Sequence, residues 1–430
     1  MSRRVVLLAV VQLVFVSSTH AQALRDQVRQ LFTFGTCGEI ICLFNLQGFH
    51  GQHFKPSAES AGRDFISFVS SSVAISVANT PITSATGGKT FRFEGGLPVA
   101  TSTSAGPILG ERAQTLGRGR WFAGFGLTQM TFTRLRGVPL NQIAFTYTHE
   151  DTPNILGQDT LGLPLFENDV INVRVAMEVS LLVATASLNY GLVDGIDVGV
   201  TVPFVRVAIQ GTSNATVVPA NPQQVFHDFD STAAGPVLTA QSSARGASTG
   251  LGDVEGHVKI NVTQGQRVGV ALFGSARFPT GDEANLLGSG RFSGRGLGVV
   301  SANFGNFSPH FNIGYTVRDD SVQNNSIDAT LGYDVLLSSW ATMAFDVLGA
   351  WQLGDSHLNV PPPVQYQSPF PRTLDVTNIP AQRDNFMSVS VGFKFTTKRG
   401  MQIVSNALFP VLDAGLQPGV MWTGGVGYNF

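Results

Sequence analysis

The chain has 430 residues, enough for two or three soluble domains or one large one. Only 13% are charged, about half the ~25% usual in soluble domains, while Gly (48) and Phe (31) are abundant. The net charge of 27 − 29 = −2 excludes nucleic-acid binding through bulk charge and excludes an acidic disordered chain. Beyond the N-terminus no run reaches the ~18 apolar residues of a membrane helix, so a chain this poor in charge points to a membrane β-barrel.

The first elements are not barrel. Arg3 and Arg4, the apolar run Val5 to Val16 (broken only by Gln12) and the small residues before Ala21-Gln22-Ala23 predict a cleaved export signal over 1–23. Residues 24–87 alternate too poorly for wall strands and are expected to plug the lumen or hang in the periplasm. Within them Cys37 and Cys42, five apart in an exported chain, suit a small-loop disulfide. Bonded and free states both stay open.

From 88 onward, period-two alternation predicts about 14 antiparallel strands in a transmembrane barrel over 88–430, with 12 or 16 as the alternatives. They run near 88–98, 120–134, 141–150, 169–192, 196–212, 251–264, 267–278, 294–305, 308–318, 325–337, 340–354, 384–397, 400–411 and 419–430. Tight connections such as Asp194-Gly195, Gly265-Gln266 and Ser338-Ser339 alternate with long ones at 151–168, 213–250, 279–293 and 355–383, the asymmetry of periplasmic turns and outer loops. The last strand alternates Trp422, Val426, Tyr428 and Phe430 with small residues, and a terminal Phe430 is the signal read by the bacterial barrel-assembly machinery.

Alternation also assigns faces. Arg174, Glu178, Asp253, Glu255, His257, Lys259, Arg277, His310, Arg318, Asp328, Asp334 and Lys394 fall on the non-lipid phase and are expected to line the lumen, where charge meets water. One strand pair changes phase. Over 171–183 the odd residues are apolar, but by Leu188 the even ones are; the partner changes near Phe204-Val205, beside Pro203. Two readings fit: a kink in the wall at Pro203, or strands that simply continue past the bilayer.

The catalytic search is thin. His227-Asp228-Phe229-Asp230 reads as a solvated outer loop, and Asp253, Glu255 and His257 as a charged ladder with Lys259, Arg267 and Arg277. No nucleophile elbow, zinc-protease helix, phosphate loop or dinucleotide fingerprint occurs. No enzyme, cofactor or metal is therefore expected.

Gly250-Leu251-Gly252-Asp253-Val254, followed by a strand ending in Pro279-Thr280-Gly281-Asp282, resembles the outer-membrane transporter family of the MetA pathway of phenol degradation. The hairpin around Tyr190-Gly191-Leu192-Val193-Asp194-Gly195 and the lead-in Glu111 to Gly119 are also similar to that family. The resemblance covers about 110–300. It implies passive uptake of hydrophobic or aromatic compounds across the outer membrane, in the manner of fatty-acid channels, and carries over no substrate-contacting residues. The two Cys and the Pro-rich outer loop (Pro361 to Pro363, Pro369, Pro371) depart from it.

On physical grounds Gly252, Asp253, Pro279, Gly281 and Asp282 are expected to pin the outer loops, with arginines such as Arg245, Arg291 or Arg295 as partners. The expected partners of the chain are outer-membrane lipid, the assembly machinery and small apolar solutes, with no nucleic acid. The expected function is a channel for such solutes, and the alternative is a non-transporting structural or surface-binding barrel.

Overall fold

The structure is a computed structural model, which describes residues 23–35, 41, 43, 63–69, 71–73, 76, 91–94, 97–100, 104–149, 168–223, 225–264, 267–319 and 323–430. Most of the predicted export signal, Cys37, Cys42 and most of 24–87 lie outside them.

Twelve strands close an antiparallel ring. In chain order they are β1 (Trp121–Leu135), β2 (Val170–Val193), β3 (Ile196–Val218), β4 (Val254–Gln264), β5 (Val268–Phe278), β6 (Ser293–Ala302), β7 (Phe307–Val317), β8 (Ser326–Ser338), β9 (Ala341–Gln352), β10 (Phe386–Thr396), β11 (Met401–Pro410) and β12 (Met421–Asn429). Each pairs with its sequence neighbour. The ring closes where β12 meets β1, with Val426 opposite Phe125 and the Trp121 and Phe430 backbones bonded in both directions at 2.8 and 3.0 Å.

The expected strand number was 14, and the two surplus strands are identifiable. The predicted strand 88–98 is a separate hairpin, Phe91–Glu94 with Leu97–Ala100, outside the main sheet. The predicted strand 141–150 is Ile143–Thr148, which lies outside the ring, paired with the far end of β2 and bridged to the outer loop at Thr377. Alternation reports two different faces; it does not report membership of a closed ring. Three further short pieces extend the sheet above the ring: Thr239–Leu251 on β3, and Val138–Pro139 and Leu416–Pro418 on β1.

Outward positions are apolar. Phe125, Leu188, Leu272, Ile313, Leu331 and Ile403 are exposed, while inward neighbours such as Asp328, Asp334 and Lys394 are buried. Exposed aromatics flank this band: Phe304, Phe307, Trp340, Tyr428 and Phe430 at the end with the tight turns, and Phe278, Phe292, Tyr315, Trp351 and Phe386 at the other. A closed barrel with an apolar, aromatic-edged exterior is the architecture of the bacterial outer membrane, and that is where this chain belongs.

β2 and β3 run 24 and 23 residues, about twice the 9–11 that a tilted strand needs to span a bilayer. Their pairing is regular from Val170 opposite Val218 to Gly191 opposite Asp197, and Thr185 sits opposite Pro203 without a shift. The phase change is therefore not a kink. The inward residues stay odd on β2, and what inverts is the surroundings. Within the bilayer the inside is polar and the outside apolar; above it the inside is an apolar core and the outside is water. Pro203 lies where the neighbouring chain breaks between Leu251 and Val254, with its carbonyl accepting the Gly252 N–H at 2.8 Å. Its missing N–H faces that gap, so no ladder bond is lost.

The upper core is built from the odd residues of β2 (Ile171 to Val183) and from Phe145 and Tyr147, with the N-terminal pieces packed onto them. Phe32, Phe65 and Phe145 meet at 5.4–5.6 Å between ring centroids. The short helix α1 (Leu24–Gln30) lies against Thr239–Leu251 through the buried Leu24 and Val28.

Candidate functional site: the barrel lumen

The lumen is crossed near its tight-turn end by residues 104–118, the stretch just before β1. No regular element forms there, so its backbone polar groups need partners, and the wall supplies them from its inward side chains. The Glu111 N–H and C=O are both held by the Asn312 amide, at 2.8 and 2.9 Å. Ala113 donates to Ser301 at 3.0 Å and accepts from Asn261 at 2.6 Å. Leu116 donates to Asp197 at 2.8 Å, Ala105 to Thr342 at 3.2 Å and Leu109 to Asp346 at 3.4 Å. The Lys394 ammonium donates to the Pro107 carbonyl and the Lys259 ammonium to the Glu111 carboxylate. Six strands thus hold one segment. Ile108 packs on Ala344 and Val404, and Ala113 on Ala271, Leu297 and Val299. Where the segment leaves for β1, Gly117 passes over β2 so closely that a Cβ on Gly191 would lie 1.9 Å from the Gly117 oxygen. Glycine is required there.

Above the crossing segment the wall carries paired charges. Glu255 and Arg277 bond at 2.6 Å and Arg295 and Asp328 at 3.2 Å, while the His310 and Asp346 side chains bond at 2.7 Å lower down, beside Gly110 of the crossing segment. His257 bonds Asn189 at 2.7 Å and stacks on Phe273 at 5.4 Å. Between these groups and the upper core lies a cavity of about 330 Å³, within the range of small-molecule sites. Glu255, His257, Arg277, Arg295, Arg318 and Asp328 line one side of it, and Phe68, Met130, Phe132, Leu348, Leu408 and Met421 line others.

Of the residues expected in the lumen, Glu255, His257, Arg277, Arg318 and Asp328 line this cavity, while Lys259, His310, Asp334 and Lys394 are buried lower down around the crossing segment. Arg174 and Glu178 do not belong to the lumen. They lie on the exposed face of β2 that also carries Leu182 and Leu188, above the apolar band, where the outside is water. Asp253 is buried but turned into the 279–292 loop. It accepts the Gly281 N–H at 3.0 Å, the Ser289 N–H at 2.7 Å and the Ser289 hydroxyl at 2.8 Å. A Cβ on Gly288 would lie 2.3 Å from its oxygen. Asp282 caps the next turn through Asn285. The motif's partners are backbone N–H groups and Ser289 rather than arginines. Arg267 is exposed at the base of β5, apart from the ladder it was expected to join.

His227, Asp228 and Phe229 are buried, not solvated. His227 bonds Asp169 at 2.7 Å, and its ring lies 5.5 Å from that of His149. Burial, opposed by the Ser231 hydroxyl, pushes the Asp228 carboxyl above its ordinary range. Among the described residues no cluster of His, Cys, Asp and Glu suited to a metal ion occurs.

Sequence reasoning missed three features. The crossing segment is one; its only sequence signal is the set of inward Lys, His, Asn and Asp residues, too costly to bury without partners. A second is the place of Arg295, which was expected to hold an outer loop and instead lines the cavity, paired with Asp328. The third is Arg136, in a turn after β1 with φ +47°. Its side chain is fully buried and forms a two-bond pair with Asp384 at 2.7 and 2.9 Å, with a further bond to Pro380 O at 2.9 Å.

The sequence matches no protein-family model and no curated protein. Among solved structures it is similar to an outer membrane channel from Pseudomonas putida F1, at 11% identity over 74% of this chain and 98% of that one, with a TM-score of 0.42. It is also similar to a Pseudomonas aeruginosa FadL homologue (10%, 72% and 89%, TM-score 0.32) and to the CymD monoaromatic hydrocarbon channel (8%, 73% and 88%, TM-score 0.32). Likeness at these scores is loose, so the geometry of this chain has to carry its function.

Proposed function

We propose that this barrel is an outer-membrane channel for passive uptake of small hydrophobic or aromatic compounds. The observation that carries the reading is the cavity inside the ring, of about 330 Å³, with Phe68, Met130, Phe132 and Leu348 beside a polar wall. A sealed structural barrel has no need of an apolar-lined internal space, and a solute driven by its own gradient needs no cofactor. The motif resemblance to the MetA-pathway transporters of phenol degradation points the same way. In this reading residues 24–35 and 63–69, packed on the upper core, cover the upper end of the path and residues 104–118 control the lower. The firm hold of the wall on 104–118 is also the one observation that favours the alternative, a non-transporting barrel.

The test is uptake of a neutral aromatic solute by proteoliposomes containing the full chain or a form lacking 24–87. Entry is expected with the full chain and faster entry with the shortened one. Entry in neither form overturns the channel reading in favour of the structural one.

A further inference from the structure

The cavity has two chemically distinct sides. Around the twelve-strand ring, β5, β6 and β7 lie opposite β11, β12 and β1. The second group presents Met130, Phe132, Leu408 and Met421 to the cavity, and the first presents Arg277, Arg295 and Arg318. The arginines are not scattered. Arg277 lies directly opposite Ser293 on the neighbouring strand. Gly294 lies opposite Val317, so Arg318 stands one step further along, level with Ser293 on its other side. Two arginines thus flank a serine in one row across three strands, about 9.5 Å from end to end at the ordinary strand spacing. Arg295, two residues along β6 from Ser293, faces the same way and closes a triangle. The small serine leaves a notch between three guanidinium groups.

The charges lining the cavity do not cancel. Glu255 is taken by Arg277, Asp328 by Arg295, Glu111 by Lys259 and Asp384 by Arg136. Arg318 bonds the Asn324 carbonyl at 3.2 Å and the Ser326 hydroxyl at 2.8 Å; Asp328, which is paired directly with Arg295, reaches Arg318 only through that hydroxyl, which donates to it at 2.8 Å. This wall thus sets three arginines against two carboxylates, Glu255 and Asp328, in a partly enclosed space that is apolar on its far side. A guanidinium so placed is suited to a planar oxyanion, which it grips with two parallel N–H groups.

We infer that the notch around Ser293 binds the carboxylate of a small amphipathic acid whose apolar or aromatic end rests on the Met130, Phe132, Leu408 and Met421 side. This rests on the channel reading for its role in transport but not for the binding itself. It narrows the solute from neutral apolar compounds to monoanionic ones, and gives Arg318 the part of specificity residue.

The probes are 4-phenylbutyrate and its neutral amide, 4-phenylbutanamide, which differ only in charge at the head. With wild-type proteoliposomes at low salt the acid is expected to enter about fivefold faster than the amide, the factor set by roughly 1 kcal/mol of additional charge-assisted bonding. Arg318→Gln is expected to bring the ratio of acid to amide entry to about one, and Ser293→Asp, which puts a carboxylate in the notch, to do the same. Heat-modifiable migration of both variants verifies that the barrel is intact. Calorimetric titration of the solubilised barrel with both probes is read alongside. Amide entry without a preference for the acid, or a preference that survives both variants, overturns the inference and leaves the channel standing. Calorimetric binding of the acid that Arg318→Gln abolishes, with neither probe entering liposomes, supports the site and overturns the channel. Binding and entry of neither probe overturns both.

Discussion

Arg136 lies in a turn, with a backbone conformation that non-glycine residues rarely adopt, and its side chain is fully buried. Such a residue persists only where its surroundings hold it. The hold here is Asp384, Ser356 and the Pro380 carbonyl, which join the turn above β1 to the loop between β9 and β10. Removing one partner of a buried pair leaves the other charge uncompensated, at a cost of about 3–5 kcal/mol. Arg136→Met is therefore expected to free that loop, seen as rapid protease cleavage within 353–385 while the barrel stays folded. Arg136→Lys should rescue only partly, because an ammonium cannot make the two-bond contact. Asp253 does the same work for the 279–292 loop through three bonds. Asp253→Ala should expose 279–292 to cleavage and leave 353–385 as resistant as before; unchanged resistance of 279–292 would remove its pinning role. Asp253 was legible because its Gly-Asp and Pro-Thr-Gly-Asp setting is a motif. Arg136 was not, because its partner is 248 residues away and no local pattern links them.

The β2–β3 pair is instructive at the scale of the element, because its alternation was read correctly and its cause was left between two explanations. An inversion of phase along a strand has the same sequence signature whether the chain bulges or the solvent changes. Regular pairing through Pro203 decides for the change of solvent. A substitution test follows from the depth of each residue. Leu188 faces outward five residues above the tight-turn end of β2, well within the apolar band, whereas Glu178 shares its face but stands above the band. Leu188→Arg is expected to cost about 2–4 kcal/mol, the penalty for arginine near the middle of a bilayer. Glu178→Arg should cost nothing measurable, its outer face being in water. Folding titrations into lipid vesicles would measure both, and equal costs would mean the band is misplaced. The two strands wrongly assigned to the ring, 88–98 and 141–150, have the same origin: each separates two environments, and period two records only that.

At the scale of the whole molecule, the lumen is organised by a segment with no periodicity at all. Residues 104–118 contain glycines, Pro107 and three charges, and in sequence they read only as a lead-in to β1. Their order comes from other strands, through side chains whose inward placement was legible but whose partners were not. Lys259 is the sharpest case: it is fully buried on β4, and its ammonium bonds the Glu111 carboxylate of the crossing segment. Lys259→Met takes from Glu111 its buried ammonium partner, and Glu111→Gln takes from Lys259 its carboxylate. Each alone should loosen the crossing segment, seen as faster amide exchange over 108–116. The double variant Glu111→Gln with Lys259→Met removes both charges together and should recover most of the protection, since an apolar replacement of a buried pair is often neutral. Non-additivity of that kind would identify the pair as the fastening of the segment rather than two separate supports. If both single variants keep full protection, the backbone bonds to Asn312, Ser301 and Asp197 hold the segment by themselves, and any opening of the lower path has to begin with them.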